Sequence, residues 1–199
     1  MIRHTFPQLP FFLATLSLFH FLEYWITARH NTSRAKVGAF ILTNNGSQYH
    51  IAHSCAIIEA LVEYFFFPHL KQVTWITYVG LGLVVLGQTA RSVAMWHAGG
   101  NFSHYVATRK EREHRLVKEG VYSVLRHPSY TGYWWWAVGT QIMLGNVVCA
   151  LGFAAVLIVF FRRRIEDEEM LLGRFFGDEY KEYRQKSWVL IPGVWGKSD

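Results

Sequence analysis

The chain has 199 residues, 51% of them hydrophobic and 17% aromatic, and its apolar residues fall in long blocks rather than evenly, the distribution of a membrane protein rather than of a water-soluble domain. The formal charge of +6 does not point to nucleic acid, because the basic residues cluster beside hydrophobic blocks instead of forming a separate basic face. Cytosolic orientation and anionic lipid headgroups account for them better.

Positions 9–28 form the first apolar block, comparable with the roughly 20 residues needed to cross a bilayer. It is longer than the core of a signal peptide, contains Glu23 and lacks a small-x-small cleavage site before Arg29, so it reads as a retained membrane helix. Blocks 51–67 and 73–96 give a second and a third. Glu59 and Glu63 lie one turn apart on the second block, which would suit a proton or cation path. The plainer expectation is that they pair with Arg91 or approach an interface. Inverted repeats and paired broken helices of the transporter kind are not evident. Cys55 and Cys149 lie far apart in apolar blocks and read as reduced core residues, with neither disulfide nor metal spacing. The histidines, His50 and His53 included, make no metal-ligand set.

Segment 97–130 is polar and basic. Its stretch Arg109–Lys118 reads as a lid for its C-terminal half, His114 to Val117, and otherwise as a solvated loop drawn to anionic lipid. Arg126-His127-Pro128-Ser129-Tyr130 follows, and Pro128 suits the first turn of a fourth helix. The unpaired amides at that start would attract a carboxylate or phosphate, with His127 and Tyr130 adding directed hydrogen bonds. Gly132 leaves room for a ligand or a neighbouring helix. The uncharged stretch 131–161 is too long for one helix, and Gly145-Asn146 predicts a turn within it. Two short helices of about 15 to 17 residues each, joined as a hairpin with its tip near the far membrane face, then complete five membrane helices. The run Tyr133-Trp134-Trp135-Trp136 is expected to serve interfacial anchoring and packing rather than a lipid groove.

The second hairpin helix continues into Arg164-Ile165-Glu166-Asp167-Glu168-Glu169, where Arg164 and Glu168 share one face. Four acids within about one turn repel one another more than a stabilising helix face requires, so part of that charge is expected to meet a cationic ligand. The Lys and Arg count places 97–130 and 162–199 in the cytosol, together with 29–50, and leaves Arg3 and Lys71 opposite. The glycosylation acceptors at Asn31, Asn45 and Asn101 should therefore remain unmodified.

The combination Arg126-His127-Pro128-x-Tyr130-x-Gly132 with Arg164-Ile165-x-x-Glu168-Glu169-x-x-Leu172 resembles the integral-membrane isoprenylcysteine carboxyl methyltransferases. Phe175-Phe176-Gly177-Asp178-Glu179-Tyr180, Ile191-Pro192, Leu18-Phe19-His20, Asn101-Phe102-Ser103-His104 and Gly120-Val121-Tyr122 are similar to the same family, so the likeness spans nearly the whole chain. The His-Pro and Glu-Glu motifs alone also occur in phospholipid methyltransferases; the upstream segments narrow the match. The resemblance implies an all-α integral membrane fold, a single domain over 1–199 with three N-terminal membrane helices in 1–96 and a catalytic region in 97–199. It implies S-adenosylmethionine-dependent methylation of the α-carboxylate of a prenylated C-terminal cysteine in CaaX-processed proteins, at the endoplasmic reticulum with the site facing the cytosol. By motif position, His114, Leu116, Val117, Tyr122, His127, Pro128, Ser129, Tyr130 and Glu168 would contact the cofactor and Arg164 would position the substrate, with no metal and no nucleic acid involved. Ala107 stands where the family often carries Gln. The alternatives are a phospholipid or other small-molecule methyltransferase and a non-catalytic prenyl-binding membrane protein.

Overall fold

In the computed structural model, which describes residues 6–110 and 114–194, there are six α-helices, with short 3-10 turns in the first three connections between them. Arg3, Arg112 and Lys197, which enter the charge count, lie outside the described residues. The helices are α1 (Gln8–His30), α2 (Ser47–Phe66), α3 (Thr74–Ala98), α4 (Pro128–Leu144), α5 (Val147–Phe176) and α6 (Asp178–Lys186). Helices α1 and α3 are long and apolar enough to cross a membrane. Phe11, Leu18, Ile58, Phe65, Leu86, Val148 and Val156 all point outward and are exposed. An apolar exterior of this extent needs lipid rather than water around it.

Helix α4 is central, with most of its side chains buried, and it packs antiparallel along α3. Glycines make that approach possible. A methyl group at Gly132 would lie 2.6 Å from both the Arg91 nitrogen and the Gly87 carbonyl oxygen, and one at Gly139 would lie 2.9 Å from the Val84 nitrogen. Added methyls at Gly80 and Gly87 would collide with the backbone at Met143 and Trp136. Small residues at such a seam let backbones close in and gain the dispersion contacts that hold helices together in lipid. The neighbouring helix expected at Gly132 is thus α3.

The hairpin turn falls where the sequence predicts it. Gly145 adopts φ +70°, a conformation that disfavours residues with a side chain, and its N–H and that of Asn146 bond back to Ile142 and Gln141 at 2.9 and 3.0 Å. Lys71, buried at the tip, donates to Glu63 at 2.5 Å, to the Leu144 carbonyl at 2.9 Å and to Asn146 Oδ1 at 3.1 Å. Glu59 accepts from the Val148 and Cys149 amides, both at 2.7 Å, and so satisfies the start of α5 from a different helix. Both acids are therefore committed to the tip, and the expected pairing with Arg91 does not occur. Arg91 instead pairs with Glu23 on α1.

Two further expectations are corrected or refined. Cys55 is exposed and Cys149 only half-buried, so neither is a core residue. In lipid an apolar side chain is not driven inward, and hydrophobicity no longer marks the core. Within the tryptophan run, Trp134 and Trp136 are buried and Trp135 donates to the Leu190 carbonyl at 3.0 Å, which is the packing role expected.

Candidate active site

The start of α4 is fixed from the C-terminal tail. The Arg126 amide donates to the Trp188 carbonyl at 3.0 Å and the Trp188 amide to the Val124 carbonyl at 2.8 Å, a short parallel pairing that delivers His127 and Pro128 to the helix entrance. Val189 and Ile191 then bury themselves against Trp134, Val138, Phe161 and Ile165. Tyr183 on α6 adds a hydrogen bond to the Tyr122 carbonyl at 2.7 Å.

One pocket lies between this entrance, the loop from Asn101 and α5. All nine residues expected at the cofactor line it: His114, Leu116, Val117, Tyr122, His127, Pro128, Ser129, Tyr130 and Glu168. The wall is completed by residues to which the sequence reading gave no role, among them Asn101, Leu172 and Tyr183. Asn101 Oδ1 accepts from the Arg115 amide at 3.1 Å and so holds the His114–Val117 segment in place. The signal that could have placed it at the site was its membership of the Asn-Phe-Ser-His motif.

The acid cluster on α5 divides by function. Glu166 makes an exposed pair with Arg162 one turn away. Glu169 accepts from Arg126 Nε at 2.5 Å, lies 3.2 Å from His127 Nε2 and pairs with Arg184 at 3.1 Å. Burial by itself would raise the Glu169 carboxyl, but its hydrogen bond to His127 and the adjacent Arg126 guanidinium bring it down to about 2. Its charge is satisfied internally. Glu168 faces the pocket, accepts 2.7 Å from the neutral Tyr130 hydroxyl and stands 3.8 Å from His127 Nδ1. It is the acid available to an incoming cation. Burial and the Glu168 carboxylate also push the Tyr122 hydroxyl well above its ordinary range, so this wall of the pocket stays a neutral phenol.

Arg164 stands outside the pocket proper, against its rim. Its Nε donates to the Tyr130 hydroxyl at 2.9 Å, its Nη2 to the His104 carbonyl at 2.6 Å, and its guanidinium lies over the Tyr130 ring. The one-turn spacing of Arg164 and Glu168 is thus bridged by Tyr130. Beneath them, the Arg91 guanidinium on α3 donates to Ser129 Oγ at 2.9 Å and pairs with Glu23, which His104 also contacts at 2.7 Å. Ser129 Oγ is therefore partly committed to the helix framework.

An all-helical chain with a polar pocket at the head of an apolar bundle has a known counterpart. The fold matches a solved structure of a eukaryotic intramembrane Ras methyltransferase with a TM-score of 0.91 at 36% identity, covering 94% of this chain and 67% of that one. The class is that of the intramembrane methyltransferases. Residues 80–174 match the model of the isoprenylcysteine carboxyl methyltransferase family. A protein-S-isoprenylcysteine O-methyltransferase of Saccharomyces cerevisiae is 50% identical across 95% of this chain and 83% of its own length. One of Homo sapiens is 42% identical across 93% of this chain, which spans 65% of the human protein. The chain belongs to the isoprenylcysteine carboxyl methyltransferase family.

Proposed function

We propose that this protein uses S-adenosylmethionine to methylate the α-carboxylate of a prenylated C-terminal cysteine, in the endoplasmic reticulum membrane and from the cytosolic side. The observation that carries this reading is the convergence of a loop, the α4 entrance and the α5 acid Glu168 on one pocket, with Arg164 pinned at its rim.

The residues present suit such a cofactor. Glu168, whose hydrogen-bonding partner is a neutral hydroxyl, has charge left for an ammonium group. His127 and the first-turn amides of α4 suit a carboxylate. Leu116, Val117 and Tyr122 offer apolar and aromatic walls to the remainder. When bound, S-adenosylmethionine supplies an electrophilic methyl group on a sulfonium.

On the substrate side no general base is required, because a C-terminal carboxyl of pKa near 3.5 is already ionised at neutral pH. Alignment is what the site must provide, and holding a carboxylate oxygen in line with the methyl group removes several kcal/mol of the barrier. Arg164 can orient the carboxylate with its remaining donors. Below it on the same helix face, Phe161, Leu157 and Phe153 follow at one, two and three turns, the first buried and the other two half-buried among Tyr133, Phe19 and Trp136. That stripe supports an apolar track for the prenyl chain, where each buried methylene contributes about 0.8 kcal/mol.

In this reading α1, α2, α3 and the α4–α5 hairpin make five membrane helices. The deciding assay offers purified protein acetyl-farnesylcysteine and phosphatidylethanolamine separately with methyl-labelled cofactor. Label in the prenylcysteine alone is expected; label in the phospholipid would make this a lipid methyltransferase, and no cofactor binding would leave a non-catalytic prenyl-binding protein.

A further inference from the structure

We propose that His104 is a positioning residue for methyl transfer, fixing Arg164 through its own backbone carbonyl while its ring is anchored on the buried carboxylate of Glu23. This rests on the reading of Arg164 as the group that orients the substrate carboxylate.

Glu23 is completely buried in α1; both of its oxygens accept from Arg91, and Oε2 also faces His104 Nε2. The His104 ring lies 2.7 Å from one of them and meets the Phe102 ring edge-on at 5.2 Å. His104 sits in a stretch with neither helix nor strand, where no ladder of backbone hydrogen bonds holds the chain. Apart from the bond of Arg34 to the Phe102 carbonyl and of the Tyr105 amide to the Ser103 hydroxyl, it is the contacts of the His104 ring that fix where its carbonyl oxygen stands. That oxygen receives Arg164 Nη2 at 2.6 Å.

Arg164 is thus held at two edges, by Tyr130 on Nε and by His104 on Nη2. A guanidinium has five N–H donors in one plane, so two such restraints fix the direction of the donors that remain. With only the Tyr130 bond left, the group can swing about that contact and the carboxylate loses its alignment. Neither His104 nor Arg164 lines the pocket assigned to the cofactor. The arrangement therefore separates orientation of the acceptor from binding of the donor, and links the first to an acid on α1 that is distant in sequence.

The test measures cofactor Kd by calorimetry together with kcat and KM for acetyl-farnesylcysteine, on wild type, His104→Ala and His104→Gln in lipid nanodiscs. His104→Ala should lower kcat/KM about 10- to 100-fold, with cofactor Kd changed by no more than about twofold. His104→Gln places an amide N–H near the ring Nε2 position and should restore most of the lost turnover. Wild-type turnover in His104→Ala overturns the proposal. Joint loss of cofactor affinity and turnover, or failure of Gln to rescue, also overturns it, since either outcome marks a structural prop. A wild type that binds no cofactor or leaves prenylcysteine unmethylated would instead refute the function on which the inference stands.

Discussion

The hydroxyl of Tyr130 donates to Glu168 at 2.7 Å, tying the first turn of α4 to the acidic face of α5. The same oxygen accepts from Arg164, so one phenol holds both an acid of the pocket wall and a cation at the pocket rim. Tyr130→Phe keeps the ring and its stacking on His127 and Phe161 while deleting both hydrogen bonds. Each is worth about 1.5 to 3 kcal/mol where a charged partner is involved, so cofactor Kd should rise about tenfold or more and kcat/KM should fall further. Calorimetry combined with steady-state kinetics checks the pair of effects.

Arg164, Glu168 and Glu166 should respond differently. Arg164→Ala is expected to abolish turnover with cofactor affinity largely kept, and Glu168→Gln to weaken the cofactor. Glu166→Gln should change little, since its exposed pair with Arg162 is worth a few tenths of a kcal/mol. Equal losses from all three would show that the α5 acids act as a stabilising cluster.

Acid should reveal Glu169. Its carboxyl is held at about 2 in the folded protein against an ordinary value of 4.5, so it favours the folded state fully above pH 4.5. That contribution, on the order of 3 kcal/mol, is lost as pH falls from 4.5 towards 2. Glu169→Gln should therefore be less stable than wild type at neutral pH, with the gap closing across that window. Unfolding curves in detergent at a series of pH values measure it, and a gap independent of pH would contradict the assignment.

The α3–α4 seam makes a contrasting pair of glycine substitutions informative. Gly132→Ala forces a methyl against the Arg91 and Gly87 backbones and should cost about 1 to 3 kcal/mol, disturbing the α4 entrance as well. Gly152→Ala meets open space on α5 and should be neutral or stabilising by up to about 1 kcal/mol. Thermal unfolding of the two variants side by side tests the seam.

Topology has its own readout. Expression in cells that glycosylate secreted chains should leave Asn31, Asn45 and Asn101 unmodified if they face the cytosol. A glycan on Asn101, whose side chain holds the pocket loop, would place the site on the opposite face.

Features governed by near neighbours in the chain were legible without coordinates. Pro128 starts α4 because a proline lacks the amide that a first turn leaves unused. Gly145 ends it because the turn needs a positive φ. Arg164 and Glu168 share a face by helical period alone. The residues expected at the cofactor were read from motif resemblance, and they meet in one pocket.

Choices between chemically equivalent partners were not legible. Periodicity places Glu168 and Glu169 within one turn, yet only folding turns the first to the pocket and surrounds the second with Arg126, His127 and Arg184. Likewise Arg91 had three acids of the apolar blocks within plausible reach in sequence terms and takes Glu23, while Glu59 and Glu63 close the hairpin tip. Ion pairing inside a bilayer depends on the rotational setting and depth of helices brought together from distant parts of the chain. A sequence specifies each helix's own period, but only the packed bundle sets the relative phase, and with it which charge meets which.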